Sequence, residues 1–289
     1  MIINADDFGL SSAVNAAVAK ARREGVLTSA SLMVTGSASR EAASIARDDP
    51  GLAVGLHLAL TCAKSALPRE LVPDLVDRDS RLASNPILAS LNYYFRPKLR
   101  RQLKSEIEAQ FAAFLELGLP LSHVDGHQHL HAHPAVLPTV VELTINYGAR
   151  GIRVPYDPLW TNMRSDRSRP AYKLLVALAN TYLAGVCRRA LGQSGLAYCD
   201  VTIGGLMSGR MTDDYVVETL KSLNCRIAEV FFHPSDCAEG PHDPYGPNVG
   251  DLRALLSPRL KRFVAESGWQ LTNYAGLEHP HRERTGERL

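Results

Sequence analysis

Four short apolar runs in this sequence end on residues that can bind a metal ion or move a proton. These residues are Asp6 and Asp7 after the first run, and then His57, His127 and His233. Two imidazoles and one carboxylate suit a divalent ion and leave coordination positions open for water and a substrate. A second carboxylate beside them can serve as a general base toward that water. The pattern predicts metal-assisted hydrolysis, in which one of the paired aspartates binds the ion, the other takes a proton, and His233 protonates the leaving group.

Histidines are also concentrated in residues 123–133, where five of the ten in the chain occupy odd positions together with Asp125. In a strand, residues two apart share a face, but Gly126 predicts that the strand ends there, so these imidazoles cannot all reach one ion. We expect Asp125 or His123 to orient a ligand imidazole through a hydrogen bond. A single histidine at a strand end is more often structural, so the prediction depends on the four sites taken together.

The elements that must position these side chains alternate between short apolar strands and longer helices. Seven or eight strands are expected, the last near residues 270–272, and this alternation indicates parallel strands joined by helical crossovers. The predicted fold is a single α/β domain, a closed or nearly closed TIM-barrel-like (β/α) barrel that is irregular or seven-stranded, with an open doubly wound sheet as the alternative. Such barrels assemble their active sites at the carboxyl ends of the strands, where all four sites lie.

The barrel is expected to span residues 1–277, followed by a polar tail at 278–289. Residues 62–85, 204–211 and 234–250 are expected to be loops or insertions, and the first and last of these to wall the pocket.

Composition excludes several classes of protein. A net charge of +2 gives no basis for binding nucleic acid. No run approaches the roughly 18 apolar residues of a transmembrane helix, and the opening residues do not have the pattern of a secretory signal. The five cysteines are scattered and lack a CxxC pair, which indicates reduced thiols. We therefore expect a cytoplasmic protein.

Four ordered motifs closely resemble the YdjC-like carbohydrate deacetylases, which include chito-oligosaccharide deacetylases. The motifs are Asn4-Ala5-Asp6-Asp7-Phe8-Gly9-Leu10, Gly55-Leu56-His57-Leu58, residues 123–131, and Phe232-His233-Pro234. The resemblance extends to Gly276 and implies a hydrolase that removes the acetyl group from N-acetylglucosamine units. It implies Asp7, His57 and His127 as metal ligands, Asp6 as the base, and His233 as the acid or a substrate ligand. It also implies one divalent ion, magnesium or zinc; ligand softness favours Zn²⁺, Mn²⁺ or Co²⁺ over Mg²⁺.

A narrower similarity connects the chain with the branch associated with hopanoid biosynthesis. It is carried by Leu32-Met33-Val34, residues 91–95, Ile152-Arg153-Val154-Pro155 and residues 208–212. It implies a lipid-linked substrate, an N-acetylglucosaminyl hopanoid, and peripheral contact with the inner membrane. Residues 88–103, which mix apolar, aromatic and basic side chains, and the apolar stretch 171–191 are compatible with such contact. The alternative is that these stretches pack on the barrel or on a second subunit, which would make a homodimer.

Several residues and functions stay open at this point. Arg153, His129, His131 and Asp125 are candidates for substrate binding; Arg153 is alternatively a surface salt bridge. The substrate is alternatively a soluble chito-oligosaccharide or an N-acetylated disaccharide. A non-haem iron oxygenase would use His123-Val124-Asp125 and leave the other sites idle. A non-catalytic metal-binding or sugar-binding protein would have no use for Asp6.

Overall fold

The computed structural model describes residues 1–237 and 246–277, and its centre is one parallel sheet of seven strands. The strands are β1 (Ile2–Phe8), β2 (Ser29–Leu32), β3 (Ala53–Leu58), β4 (His123–Gly126), β5 (Gly151–Ile152), β6 (Val201–Ile203) and β7 (Ala228–Phe232). Their spatial order is β5-β4-β3-β2-β1-β7-β6. The first strand of the chain is therefore central, and its carboxyl end is surrounded by those of its neighbours.

Helices connect the strands and cover the sheet. In the described residues they are α1 (Ser12–Glu24), α2 (Ser39–Asp48), α3 (Pro86–Phe95), α4 (Pro97–Glu116), α5 (Leu137–Asn146), α6 (Leu159–Ser165), α7 (Pro170–Leu191), α8 (Asp213–Ser222), α9 (Val249–Leu256) and α10 (Pro258–Glu266). Among them, α7 alone has the length and composition that could cross a membrane. A 3₁₀ segment, His127–Ala132, follows β4 directly. The β/α alternation predicted from the sequence is confirmed.

The barrel is incomplete, which corrects the expectation of a closed or nearly closed one. The sheet curls into a half-barrel whose edge strands are β5 and β6, and in the described residues these two strands are not paired with each other. Gly151 of β5 instead forms an isolated bridge with Ala197, which lies before β6 in the chain. The predicted eighth strand near 270–272 contributes a single bridge, between Thr272 and Ile2. Strand β5 is short because the chain soon reaches Pro155, which has no N–H to donate to a neighbouring strand.

Local signals explain most helix boundaries. Ser11 accepts a hydrogen bond from the Val14 N–H at the start of α1, as expected of an N-cap, and Gly25 follows its end. The apolar spacing of residues 252–266 predicts one helix, but the structure has two. Pro258 cannot continue the first helix and instead begins the second, where Ser257 accepts hydrogen bonds from the free N–H groups. The predicted tail 278–289, and residues 238–245 of the predicted loop 234–250, lie outside the described residues.

Candidate metal centre and active site

An irregularity at the end of β1 brings two consecutive aspartates into one site. Successive side chains of a strand point to opposite faces, so Asp6 and Asp7 would normally diverge. The pairing of β1 with β2 shifts register between Ala5 and Phe8, and Asp7 adopts a left-handed backbone with φ of 62°. Aspartate tolerates this conformation better than most residues. Both carboxylates consequently approach the carboxyl end of the sheet.

Asp7, His57 and His127 form a compact, buried group of possible metal ligands. Asp7 Oδ1 lies 3.2 Å from His127 Nδ1 and 3.5 Å from His57 Nε2, and one ligand atom from each residue lies within 4.8 Å of the others. Both carboxylate oxygens of Asp7 and the Nε2 atom of His57 are buried without a hydrogen-bond partner. Buried polar atoms are rarely left unpaired, and a cation held among these atoms would satisfy them all. The donor set therefore fits a divalent metal ion.

Asp125 orients His57 from the neighbouring strand. His57 of β3 and Asp125 of β4 are register partners, and His57 Nδ1 lies 2.8 Å from Asp125 Oδ1. Because an ionised carboxylate only accepts hydrogen bonds, Nδ1 carries the proton and the lone pair of Nε2 faces Asp7. Burial alone would lower the pKa of His57, but the Asp125 carboxylate holds it above its usual value. The expectation that Asp125 positions a ligand imidazole agrees with this geometry.

Burial and charge act in opposite directions on the other two members of the group. Burial alone would lower the pKa of His127, but Asp7 and Cys62 beside it raise that pKa to about 10. Burial would raise the pKa of Asp7, but the His127, His233 and His57 imidazoles hold it well below its usual range. Positive charge is thus favoured at this position, as a metal site requires.

Arg153 is the central cation of a buried network beneath the site. It lies in the extended chain just after β5, has no exposed surface, and binds carboxylates from three strands. Its Nη1 and Nη2 atoms donate to the two oxygens of Asp6 at 2.7 and 2.8 Å, and Nη2 lies 2.9 Å from Asp125 Oδ2. Its Nε and Nη2 atoms also donate to Glu229 Oε1 at 3.0 and 2.8 Å. The alternative that Arg153 forms a surface salt bridge is therefore wrong.

The same network holds Asp6 in its ionised form. Burial would raise the pKa of Asp6, but the Arg153 guanidinium holds it below its usual value. Asn4 Nδ2 donates a further hydrogen bond of 2.8 Å to Asp6 Oδ1. Asp6 is therefore a fixed carboxylate at neutral pH, and its low pKa makes it a base that needs an acidified proton donor.

A cavity of about 450 Å³ opens beside the metal group. Asp6, His57, His127 and His233 line it, and His233 Nε2 lies 3.9 Å from Asp6 Oδ2. The outer walls come mainly from α3 and α7 and from residues 205–208, including Ile87, Tyr172, Val176, Asn180 and Gly205. Of the two loops predicted to wall this pocket, neither 62–85 nor the described part of 234–250 lines it. Residues 204–211, expected to be an insertion, do contribute.

The predicted substrate-binding residues lie at different depths. His129 lines the cavity and stays a candidate for substrate binding. Arg153, His131 and Asp125 have no exposed surface, and all three are bonded to protein groups: His131 Nε2, for example, donates to the Arg153 carbonyl at 2.9 Å. The expectation that these three contact the substrate is therefore corrected: they lie beneath the residues that line the cavity and are hydrogen-bonded within the protein.

The His123-Val124-Asp125 unit does not form the metal triad of an oxygenase. His123 Nε2 lies 3.2 Å from Ser31 Oγ, and burial lowers the pKa of His123 to about 4, so the ring is neutral. Ser31 Oγ also donates to Asp125 Oδ2 at 2.7 Å. Gly55 makes this packing possible, because a Cβ at that position would come within 2.5 Å of the His123 ring.

The sequence interpretation missed Asn4, Ser31, Glu229 and Tyr274 as parts of this network. Tyr274 donates to Glu229 Oε2 at 2.8 Å and stacks on His123. One signal was available: a charged residue, Glu229, stands inside the otherwise apolar strand Ala228-Glu229-Val230-Phe231-Phe232. A buried charge in a strand implies a buried counter-charge nearby.

Comparisons with known proteins agree with this geometry. Residues 1–266 match the family described as YdjC-like protein. A carbohydrate deacetylase of Brevibacillus brevis is 39% identical over 280 residues, covering 96% of this chain and 99% of that protein. A chitooligosaccharide deacetylase of Escherichia fergusonii is 30% identical over 277 residues, covering 95% and 97%. A solved structure from Enterococcus faecalis V583, described as a cellobiose-phosphate cleavage protein, has a TM-score of 0.71 at 25% identity and covers 95% of this chain and 97% of that one.

Proposed function

The chain belongs to the YdjC-like family, and from this premise we propose that it removes the acetyl group from an N-acetylglucosamine unit with the help of one divalent metal ion. The chain is a carbohydrate deacetylase, which is a hydrolase. Its relatives named carbohydrate deacetylase and chitooligosaccharide deacetylase support this. The observation that carries the metal-dependent part of the proposal is the group of unpaired ligand atoms on Asp7 and His57 beside His127 and Asp6.

We assign Asp7, His57 and His127 as the residues that hold the ion. When bound, a divalent ion lowers the pKa of a water molecule and polarises the carbonyl oxygen of an amide. Magnesium and zinc are both candidates; two imidazoles among three protein ligands favour zinc or a similar transition metal. Asp125 keeps the His57 lone pair directed at Asp7, so the ligand set is in place before the substrate arrives.

Asp6 is the proposed general base. It lines the cavity next to the metal group, and Arg153 and Asn4 fix both of its oxygens. As the water oxygen bonds to the acetyl carbon, Asp6 takes the proton that the water loses. Its low pKa suits a water that has itself been acidified, and Arg153 stabilises the carboxylate whenever the proton is passed on.

His233 is the proposed acid or substrate ligand on the other side of Asp6. It lines the same cavity, and its Nδ1 atom is buried without a hydrogen-bond partner. When the C–N bond breaks, the electron pair stays on nitrogen, and a proton from His233 would release the free amine and acetate. His129, on the cavity wall, is the remaining candidate for a contact with sugar hydroxyls.

For the substrate, we propose an N-acetylglucosaminyl hopanoid, on the basis of the narrower sequence similarity. A cavity of about 450 Å³ accommodates a sugar unit and leaves the remainder of a larger substrate outside. The other candidate is a soluble chito-oligosaccharide, in keeping with the name of the Escherichia fergusonii relative. The scattered cysteines, which lack a CxxC pair, support the proposed cytoplasmic location.

Acetate release by the metal-loaded protein distinguishes these substrates. It would be measured with the glycolipid in detergent and with chitobiose and chitotriose, each with and without a chelator. Chelator-sensitive release from the lipid alone is the expected result. Release from the soluble sugars alone would keep the reaction and reject the lipid. Release from none of them would overturn the proposed substrates.

A further inference from the structure

Helix α7 exposes more large apolar side chains than a helix on the surface of a water-soluble protein normally does. Such a helix normally buries its apolar stripe and exposes its polar one. The buried face of α7 consists of Lys173 and Asn180 together with small apolar residues and one leucine, whereas Leu175, Leu178 and Tyr182 are 60–68% exposed. Only 28% of the most apolar stretch of α7 is buried. The sheet therefore does not account for the apolar composition of this helix.

Exposed apolar side chains are concentrated around α7 and α3. Of the fourteen large hydrophobic residues exposed in the described part of the chain, ten lie on α3, α6 and α7. On α3, Phe95 is 70% exposed, and Leu88, Leu91 and Tyr94 are each more than half exposed. A concentration of this kind marks an interaction surface, whereas isolated exposed hydrophobic residues are common and need no explanation.

This surface surrounds the mouth of the active site. Ile87 of α3 and Tyr172 and Val176 of α7 line the cavity that also contains Asp6 and His233. Both helices pack on the 3₁₀ segment that carries His127 and His129. We call the exposed apolar side chains of α3 and α7 the docking face. Because this face borders the mouth of the cavity, a partner bound to it lies next to the path by which a substrate enters.

The charge around the docking face has one sign. Residues 86–105 contain five basic and no acidic residues, and residues 159–191 contain six basic residues and one acidic residue. These two stretches carry a formal charge of +10, whereas the whole chain carries +2. The single acid, Asp166, is already paired with Lys173. An anionic partner is therefore favoured.

We propose that the docking face rests on the surface of an anionic lipid bilayer, so that the cavity opens toward a lipid-linked amino sugar; this rests on the proposed function. Apolar and aromatic side chains bordered by arginine and lysine are the composition of segments that lie in a bilayer interface. A second copy of the chain fits less well, because a two-fold interface would bring the same basic patches against each other.

Vesicle binding tests the proposal independently of turnover. The metal-loaded protein would be sedimented with vesicles of phosphatidylcholine alone and of phosphatidylcholine mixed with phosphatidylglycerol. Binding is expected to the mixed vesicles, and to weaken with added salt because the basic residues contribute to it. Phe95→Glu and Leu175→Glu, one on each helix, should each weaken binding about ten-fold or more. Leu115→Glu is the matched control, since Leu115 is 64% exposed at the opposite end of α4 from α3.

Two further measurements on all three variants, acetate release from chitobiose and the midpoint of unfolding, show whether a variant changes catalysis or folding in addition to vesicle binding. We expect both to stay near the wild-type values. Absence of binding to the mixed vesicles, or equal binding by the docking-face variants and the control, would overturn the docking proposal even if the enzyme is active. Variants that abolish self-association and leave vesicle binding intact would assign the face to a second copy instead. If the wild type binds vesicles through this face but releases no acetate, the proposed reaction is rejected and the docking proposal stands.

Discussion

Replacing Asp125 by asparagine tests whether the pairing of His57 with Asp125 prepares the metal site. In the wild type, Asp125 Oδ1 accepts the His57 Nδ1 proton at 2.8 Å, and Oδ2 faces Arg153 and Ser31. An asparagine must direct its NH₂ group to one side. If the NH₂ group faced Arg153, it would lie against a cation, so the NH₂ group is expected to face His57. His57 must then accept a hydrogen bond through Nδ1 and carry its own proton on Nε2. The nitrogen directed at Asp7 would lose its free lone pair.

The size of the effect follows from that change of tautomer. Loss of a partner that orients a ligand histidine typically weakens metal binding by about 10–100-fold. We expect the higher part of this range, because the His57–Asp125 pair is fully buried and no water can replace the carboxylate. The backbone pairing of β3 with β4 does not involve this side chain and should persist.

Zinc affinity, measured at fixed pH by competition with a chromophoric chelator, would report this effect. Asp157→Asn is the matched control: Asp157 is also buried, but its Oδ2 atom accepts from the Gly204 and Leu206 N–H groups instead of a ligand histidine. Wild-type affinity in Asp125→Asn, with a folded protein, would refute the role given to Asp125.

Further predictions concern the base, the buried cation and one titrating carboxylate. Asp6→Asn should bind metal within a few-fold of the wild type and lose about 10²- to 10⁴-fold in turnover; full activity would reject the base assignment. Arg153→Met leaves three buried carboxylates without their cation and should lower the free energy of unfolding by about 3–5 kcal/mol in urea denaturation; a loss below about 1 kcal/mol would contradict this. Burial raises the pKa of Asp157 from 3.8 to about 7, so the folded chain keeps a proton that the unfolded chain releases, and the contribution of this group to stability falls as pH rises through that interval. The stability of Asp157→Asn relative to the wild type should therefore increase by about 2 kcal/mol between pH 5 and pH 8, and an unchanged difference would show that Asp157 does not titrate there.

The sequence predicted the order of elements because strands and helices differ in periodicity and in the residues that end them. Asp6, Asp7, His57, His127 and His233 were predicted as site residues from their place after apolar runs, and the structure brings them together because parallel strands end at one edge of the sheet. The prediction of a closed barrel was wrong. The expected last strand near 270–272 forms only one bridge in the described residues, at Thr272, because its pairing depends on tertiary packing that a three-residue pattern does not encode.

The depth of Arg153 and the walls of the cavity could not be predicted. An arginine after a strand has the same local pattern whether it faces solvent or three carboxylates, and only the curvature of the sheet brings Asp6 and Glu229 to it. Similarly, α3 and α7 are distant in sequence from the metal group and reach the cavity through their packing on the 3₁₀ segment.

Titration of the chelator-treated enzyme with zinc, and separately with magnesium, tests the central claim most directly. Acetate release from the accepted substrate would be followed as metal is added, with His57→Ala as the variant that lacks one ligand. We predict no release before metal is added, an increase that reaches its plateau at one equivalent per chain, and no increase in the variant. Full activity in the metal-free wild type, or an equal increase in His57→Ala, would contradict a reaction that depends on an ion held by Asp7, His57 and His127.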